Sequence, residues 1–141
     1  MWVTYILMWM TDFSDTGMKP EKSERFPNGM KPVSDYIHSL GLKAGIYSDA
    51  GDNTCGSIYD DDANGVGSGL YGHEQQDMDL YLKEWNYDFI KIDYCGAKEL
   101  GLEEEKRYAT ICEAIENTGR TDVSINICRW AFPGTWAKDM A

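Results

Sequence analysis

Phe89-Ile90-Lys91-Ile92-Asp93-Tyr94-Cys95-Gly96 is an apolar run that closes on an acid, an aromatic and a cysteine. Residues 89–93 have the length and composition of a core strand. Charges seldom finish such a strand without a task. In a protein built of βα repeats, the C-terminal lip of the sheet carries the chemistry. Asp93 is therefore the residue on which a functional reading rests.

Outward from this strand the hydrophobic period alternates. Residues 4–9 read as a strand, followed by a polar loop with Pro20 and Pro27. Met30, Val33, Ile37 and Leu40 then recur at helical spacing, with Asn28 as the cap and Gly41 as the stop. Residues 42–48 form the next strand, and a glycine-rich loop runs from Asp49 to Gly72. Met78, Tyr81, Leu82 and Trp85 mark a second helix, from Glu74 to about Asn86. Tyr108, Ile111, Cys112 and Ile115 mark a third, opened by Glu103-Glu104-Glu105, where acids suit the helix dipole, and ended before Gly119. Residues 123–128 are the last strand.

The order β-α-β-α-β-α-β predicts an α/β protein with a parallel sheet, its strands apolar on both faces. Two closures are open: a doubly wound sheet or a (β/α)8 TIM barrel. No G-x-G-x-x-G follows a strand, which disfavours the nucleotide-binding form of the first. A whole barrel needs ~250 residues, and this chain has 141. The expectation is a partial barrel, one fragment of a catalytic domain over 1–141, with no second domain.

The charge balance narrows the partners. With 24 acids against 13 bases the net charge is −11, which argues against nucleic acid or an anionic membrane and leaves neutral ligands such as sugars. The apolar opening, Met1 to Met10, is shorter than the ~20 residues of a membrane span. It also lacks the basic start and cleavage site of a signal peptide. Cys55, Cys95, Cys112 and Cys128 have no metal-ligand spacing, so neither a metal nor a cofactor is expected. Cys112 lies in a helical stripe and reads as a buried thiol. Cys55 and Cys95 each follow a strand end and could meet as a disulfide if those strands are neighbours.

Each predicted strand end offers candidates with a plainer alternative. Asp93 and Lys91 share a face, which fits either an ion pair or a nucleophile kept charged by its neighbour. Asp49, in Tyr47-Ser48-Asp49-Ala50-Gly51, fits a tight turn that bonds its own backbone, with Gly51 at positive φ. Tyr47 faces the lip and suits a flat ring. Arg129 and Trp130 suit a polar-plus-aromatic site, or equally a salt bridge and a packed indole. His38 reads as solvated on a helix face, and Asp60-Asp61-Asp62 as a solvated loop, since calcium loops space their acids.

These strand ends resemble the melibiase-type α-galactosidases, glycoside hydrolase family 27 of clan D. The resemblance is carried by Arg25-Phe26-Pro27-Asn28-Gly29-Met30-Lys31 and by residues 36–51, Tyr-Ile-His-Ser-Leu-Gly-Leu-Lys-Ala-Gly-Ile-Tyr-Ser-Asp-Ala-Gly. It continues through Thr54-Cys55, Gly72-His73-Glu74-Gln75-Gln76-Asp77 and Lys91-Ile92-Asp93-Tyr94-Cys95. It implies a partial barrel covering roughly strands 2–5. It further implies Asp93 as the retaining nucleophile, forming a covalent glycosyl intermediate, and Lys91, Tyr47, Arg129 and Trp130 as substrate-binding residues. A Cys55–Cys95 disulfide would frame the site, and with it folding in the periplasm or outside the cell.

The chain departs from the family pattern at three places. Trp9-Met10-Thr11 stand where a sugar-gripping Asp-Asp pair is expected, and Arg129 stands in a Cys-Glu-Trp motif. The acid/base Asp of the family falls beyond Ala141, and Asp139 lies too close to Trp136 to replace it. The expected function is cleavage of terminal α-linked galactose or a related sugar, incomplete and inactive in this chain alone. A silent carbohydrate-binding fragment and a barrel glycosidase of different sugar specificity are the alternatives.

Overall fold

A computed structural model describes residues 26–128 and 136, together with the backbone of residues 5–7. Four strands, β1 (Tyr5–Leu7), β2 (Ala44–Asp49), β3 (Phe89–Asp93) and β4 (Ser124–Ile127), pair in the order β1-β2-β3-β4. Every pairing is parallel. A doubly wound sheet reverses its order at a switch point. The order found here runs sequentially with no switch point among the described strands, consistent with a barrel segment.

The connections are α1 (Lys31–Ser39), α2 (Cys55–Tyr59), α3 (Glu74–Met78), α4 (Cys95–Glu99) and α5 (Glu104–Asn117). A 3-10 turn spans Ala63–Gly65, and α3 runs on into a π-type stretch, Asp79–Glu84. Helix α1 is not capped by Asn28: its N-cap is Met30, and Pro32 sits in the first turn, where a missing N–H leaves no bond unmade. Gly41 at φ +73° does end it. The second helix stops as its sequence predicts, at Asn86 with φ +57°. Helix α4 was not legible, because five residues following directly on a strand display no helical period.

The core lies between the sheet and the helices. Ile46, Ile90 and Ile92 point away from the lip residues and are fully buried with Leu70, Met78, Tyr81, Leu82, Tyr87, Tyr108 and Ile111. Tyr81 stacks on Trp85 at 5.4 Å between ring centroids. The expectation of strands buried on both faces holds for β2, whose residues are all buried, Ser48 and Asp49 included. It fails for β3 and β4, which alternate. Their second face carries Phe89, Lys91, Asp93, Ser124 and Asn126, and a barrel turns that face toward its interior.

The lower rim of the sheet is organised by Asp88, a buried acid just ahead of β3. Its Oδ2 accepts from Ala44 N at 2.9 Å and lies 2.7 Å from His38 Nε2. Its Oδ1 accepts from Lys43 at 3.2 Å and Arg120 at 3.4 Å. His38 is thus half-buried in an acid–base cluster, and the expectation of a solvated side chain is corrected. The packing of α1 against β2 and the segment ahead of β3, where Ser34 bonds Trp85 O, brings the two together across 50 residues.

Candidate functional site

The sheet register assembles the site. Tyr47 pairs with Lys91, and Lys91 with Asn126, so these three form one layer of the inner face. Asp49 pairs with Asp93 one layer nearer the lip, and Cys128 follows in the same layer, its N–H bonded to Ile92 O at 3.0 Å.

Lys91 Nζ lies 3.6 Å from Asp93 Oδ2 and 5.3 Å from the centroid of the Tyr47 ring. The ammonium therefore stands over an aromatic face and beside a carboxylate together. The Tyr47 hydroxyl is pushed above its ordinary range, first by burial, then by the charge of Asp93 and a hydrogen bond to it. The Cys128 thiol is pushed up by burial, then by its hydrogen bond to Asp93 and that acid's charge, while Lys91 pulls the other way.

The lip behind Asp93 is covalently tied. A disulfide joins Cys55 to Cys95, with Cα atoms 5.0 Å apart. Asp49 lies against both sulfurs, all three donor atoms within 4.8 Å of one another; the sulfurs are bonded to each other and so are not thiolate ligands. Gly51 does not adopt the positive φ predicted for it. It is required for space, since a Cβ there would come 2.0 Å from Ala97 N. Its N–H does donate to Asp49 Oδ1 at 2.7 Å, as the turn predicts.

Beside this lip, Arg107 of α5 donates from Nε and Nη2 to Ala50 O at 3.0 and 2.8 Å, and pairs with Glu74 at 2.6 Å. Its guanidinium also sits 4.9 Å from the Tyr71 ring. A long-range arginine contact of this kind has no sequence signal. Of the sequence-predicted residues, Asp93, Lys91 and Tyr47 come together and Cys55 bonds Cys95. Arg129, Trp130, Trp9-Met10-Thr11 and Asp139 lie outside the described residues. Cys112 is free and partly buried.

The melibiase family model described as alpha galactosidase A matches residues 3–139. An alpha-galactosidase of Coffea arabica is 38% identical over 121 residues, 84% of this chain and 29% of the coffee protein. A crystal structure of a Bacteroides fragilis protein assigned as an alpha-galactosidase superposes with a TM-score of 0.75 at 32% identity, covering 99% of this chain and 28% of that one. The structure of Saccharomyces cerevisiae alpha-galactosidase with raffinose superposes with a TM-score of 0.68 at 27% identity, covering 92% and 27%. The chain thus spans less than a third of the length of these relatives. It belongs to the melibiase family of alpha-galactosidases.

Proposed function

We propose that this chain carries the nucleophile half of a retaining α-galactosidase site, with Asp93 as the nucleophile. The observation that carries the reading is the Asp93 carboxylate at the end of a parallel strand, 3.6 Å from the Lys91 ammonium, which also stands over the Tyr47 ring. A carboxylate oxygen of Asp93 attacks the anomeric carbon, the bond to the leaving oxygen breaks, and a glycosyl ester forms. Lys91 and Tyr47 orient the carboxylate and meet the sugar hydroxyls, and Arg129 and Trp130 complete the pocket. The yeast relative bound to raffinose supports a terminal α-linked galactose as the substrate class.

Hydrolysis by this route needs a second carboxyl, ~5–5.5 Å from the first, to protonate the leaving oxygen and then activate water. Asp49, which pairs with Asp93 in the sheet, is fully buried and engaged by backbone N–H groups, so it is no proton shuttle. The proposal assigns the acid/base to residues outside those described. Residues 1–141 act as one segment of the catalytic barrel, roughly strands 2–5, and alone do not turn over aryl α-galactosides. The disulfide supports folding in the periplasm or outside the cell.

The test is covalent trapping. An α-galactosyl fluoride slowed by a fluorine at ring C5 needs no protonation of its leaving group: Asp93 bonds to the anomeric carbon and fluoride departs with the electron pair. Mass spectrometry is expected to find one sugar on the peptide holding Asp93, and none in Asp93→Asn. An unlabelled wild-type chain overturns the nucleophile assignment. In that case, saturable galactose binding in calorimetry favours a silent sugar-binding segment. Hydrolysis of an aryl α-galactoside by the purified chain, lost in Asp93→Asn, overturns the claim of incompleteness.

A further inference from the structure

Asp49 is the last residue of β2 and has no solvent exposure, yet it carries a carboxyl group. No cation pairs with it among the described residues. Its Oδ1 accepts from Gly51 N at 2.7 Å, Gly96 N at 3.1 Å and Ala97 N at 3.4 Å. Its Oδ2 accepts from Cys95 N at 2.7 Å, with Cys55 Sγ at 3.9 Å. A turn residue uses the first of these bonds alone. The other three backbone bonds cross to the neighbouring strand's exit, the peptide units that follow Tyr94, Cys95 and Gly96.

Burying a carboxyl is expensive, and here the cost is offset by the backbone N–H groups of Gly51, Cys95, Gly96 and Ala97, which an apolar side chain would leave without an acceptor. What the carboxylate does here is fix a backbone direction. Ala50 N donates to Asp93 O at 2.8 Å, so the same two-residue segment holds the Asp93 carbonyl and the Cys95 N–H, the two backbone groups on either side of Tyr94 that directly follow the Asp93 side chain. The two lips also pack backbone against backbone. A Cβ on Gly51 would meet Ala97 N at 2.0 Å, and one on Gly96 would meet Asn53 O at 2.3 Å. The contact leaves no room for adjustment once the carboxylate is in place.

We propose that Asp49 is a positioning residue for Asp93: its carboxylate pins the N–H groups of Cys95, Gly96 and Ala97 and so sets where the Asp93 carboxylate points. This rests on the nucleophile reading of Asp93 for its chemical consequence, but not for its structural one. Asn at this position keeps the shape while replacing one acceptor oxygen with an NH2 that faces peptide N–H groups. A displacement of about 1 Å at a reacting group costs on the order of 100-fold in rate.

The experiment uses the full chain, with galactosyl fluoride labelling and amide hydrogen exchange in wild type and Asp49→Asn. In the variant the maximal labelling rate is expected to fall about 100-fold with the half-saturating donor concentration unchanged. Exchange at Cys95, Gly96 and Ala97 is expected to rise while Ile90 and Ile92 stay protected. A wild-type labelling rate in the folded variant, or a rise in half-saturation alone, overturns the proposal. If the variant does not fold, wild-type exchange decides. The three amides are expected to be as protected as those of β3, and faster exchange overturns the proposal. An unlabelled wild type defeats the reading of Asp93, while the exchange comparison still judges Asp49.

Discussion

Lys91 and Asp93 stand on one face of β3 with Nζ and Oδ2 3.6 Å apart, each side chain mostly withdrawn from solvent. Neither has a second partner of opposite charge among the described residues. Lys91→Met keeps the apolar stem and removes the charge. Labelling by the galactosyl fluoride is expected to fall roughly 30-fold, the equivalent of about 2 kcal/mol for one charged hydrogen-bonding partner. The melting temperature is expected to change little, since the pair is not wholly buried.

Tyr47→Phe isolates the hydroxyl from the ring. The ring packs as before against a buried surface, so the fold is retained. Loss of the donor to Asp93 is expected to slow labelling about tenfold, in line with ~1.5 kcal/mol for a hydrogen bond to a charged group. Because the Tyr47 hydroxyl is held above its ordinary range, the labelling rate of the wild-type chain shows no tyrosine titration up to pH 10. An alkaline limb below that pH that vanishes in Tyr47→Phe would contradict the geometry.

Acid stability centres on Asp88. Burial alone would raise its pKa, but hydrogen bonds from His38, Ala44 N and Lys43 outweigh burial and hold it below the usual carboxylate range. A folded value below the unfolded one means the stabilisation is complete above the unfolded value and is lost as pH falls through the folded one. Melting temperatures are expected to hold above pH 5 and to drop steeply below pH 4. Asp88→Asn is expected to be less stable at pH 6 and to show a flatter acid limb.

Asp77 shows the opposite sign. It is buried on α3, its Oδ1 has no hydrogen-bond partner among the described residues, and burial followed by the charge of Glu74 pushes its pKa up to about 7. Its contribution is therefore fully present below the ordinary carboxylate value and fades as pH rises to about 7. Asp77→Asn is expected to match wild type near pH 4 and to be more stable at pH 8, by roughly 1–3 kcal/mol. Thermal melts at the two pH values check this.

The Cys55–Cys95 bridge closes a sequence separation of 40 residues. Chain-entropy arguments give such a loop about 4 kcal/mol. Replacing both cysteines by serine is expected to lower the melting temperature by roughly 10 °C for a domain of this size. Labelling of the folded fraction is expected to slow as well, since Cys95 is two residues from Asp93.

Local signals and non-local ones fared differently in the sequence. Strand β3 was legible to the residue, because an apolar run stands between the left-handed stop at Asn86 and the lip. Helix α5 was legible from its period and its acidic start. That Lys91, Asp93 and Tyr47 lie at neighbouring strand ends was legible because strand ends are local features. Asp49 read as a turn residue because its first bond is local, to Gly51. Its other bonds depend on β2 and β3 being aligned, a fact no window of sequence contains. His38 was misread for the same reason: its partner, Asp88, is distant in the chain and adjacent only after packing.

The two buried acids also bracket the β2–β3 pair. Asp88 holds the entrance, where its N–H donates to Ala44 O, its carboxylate accepts from Ala44 N, and Ser124 N joins at Asp88 O. Asp49 holds the exit. A one-residue slip of β3 would turn Asp93 toward the helices and Ile92 toward the lip. It would also strand both carboxylates away from their donors, leaving two desolvated charges uncompensated. The penalty for misalignment is thus concentrated at the two ends of the strand, where pairing begins and finishes, and the alignment that turns Asp93 to the face of Lys91 and Tyr47 is guarded by acids at both of its limits.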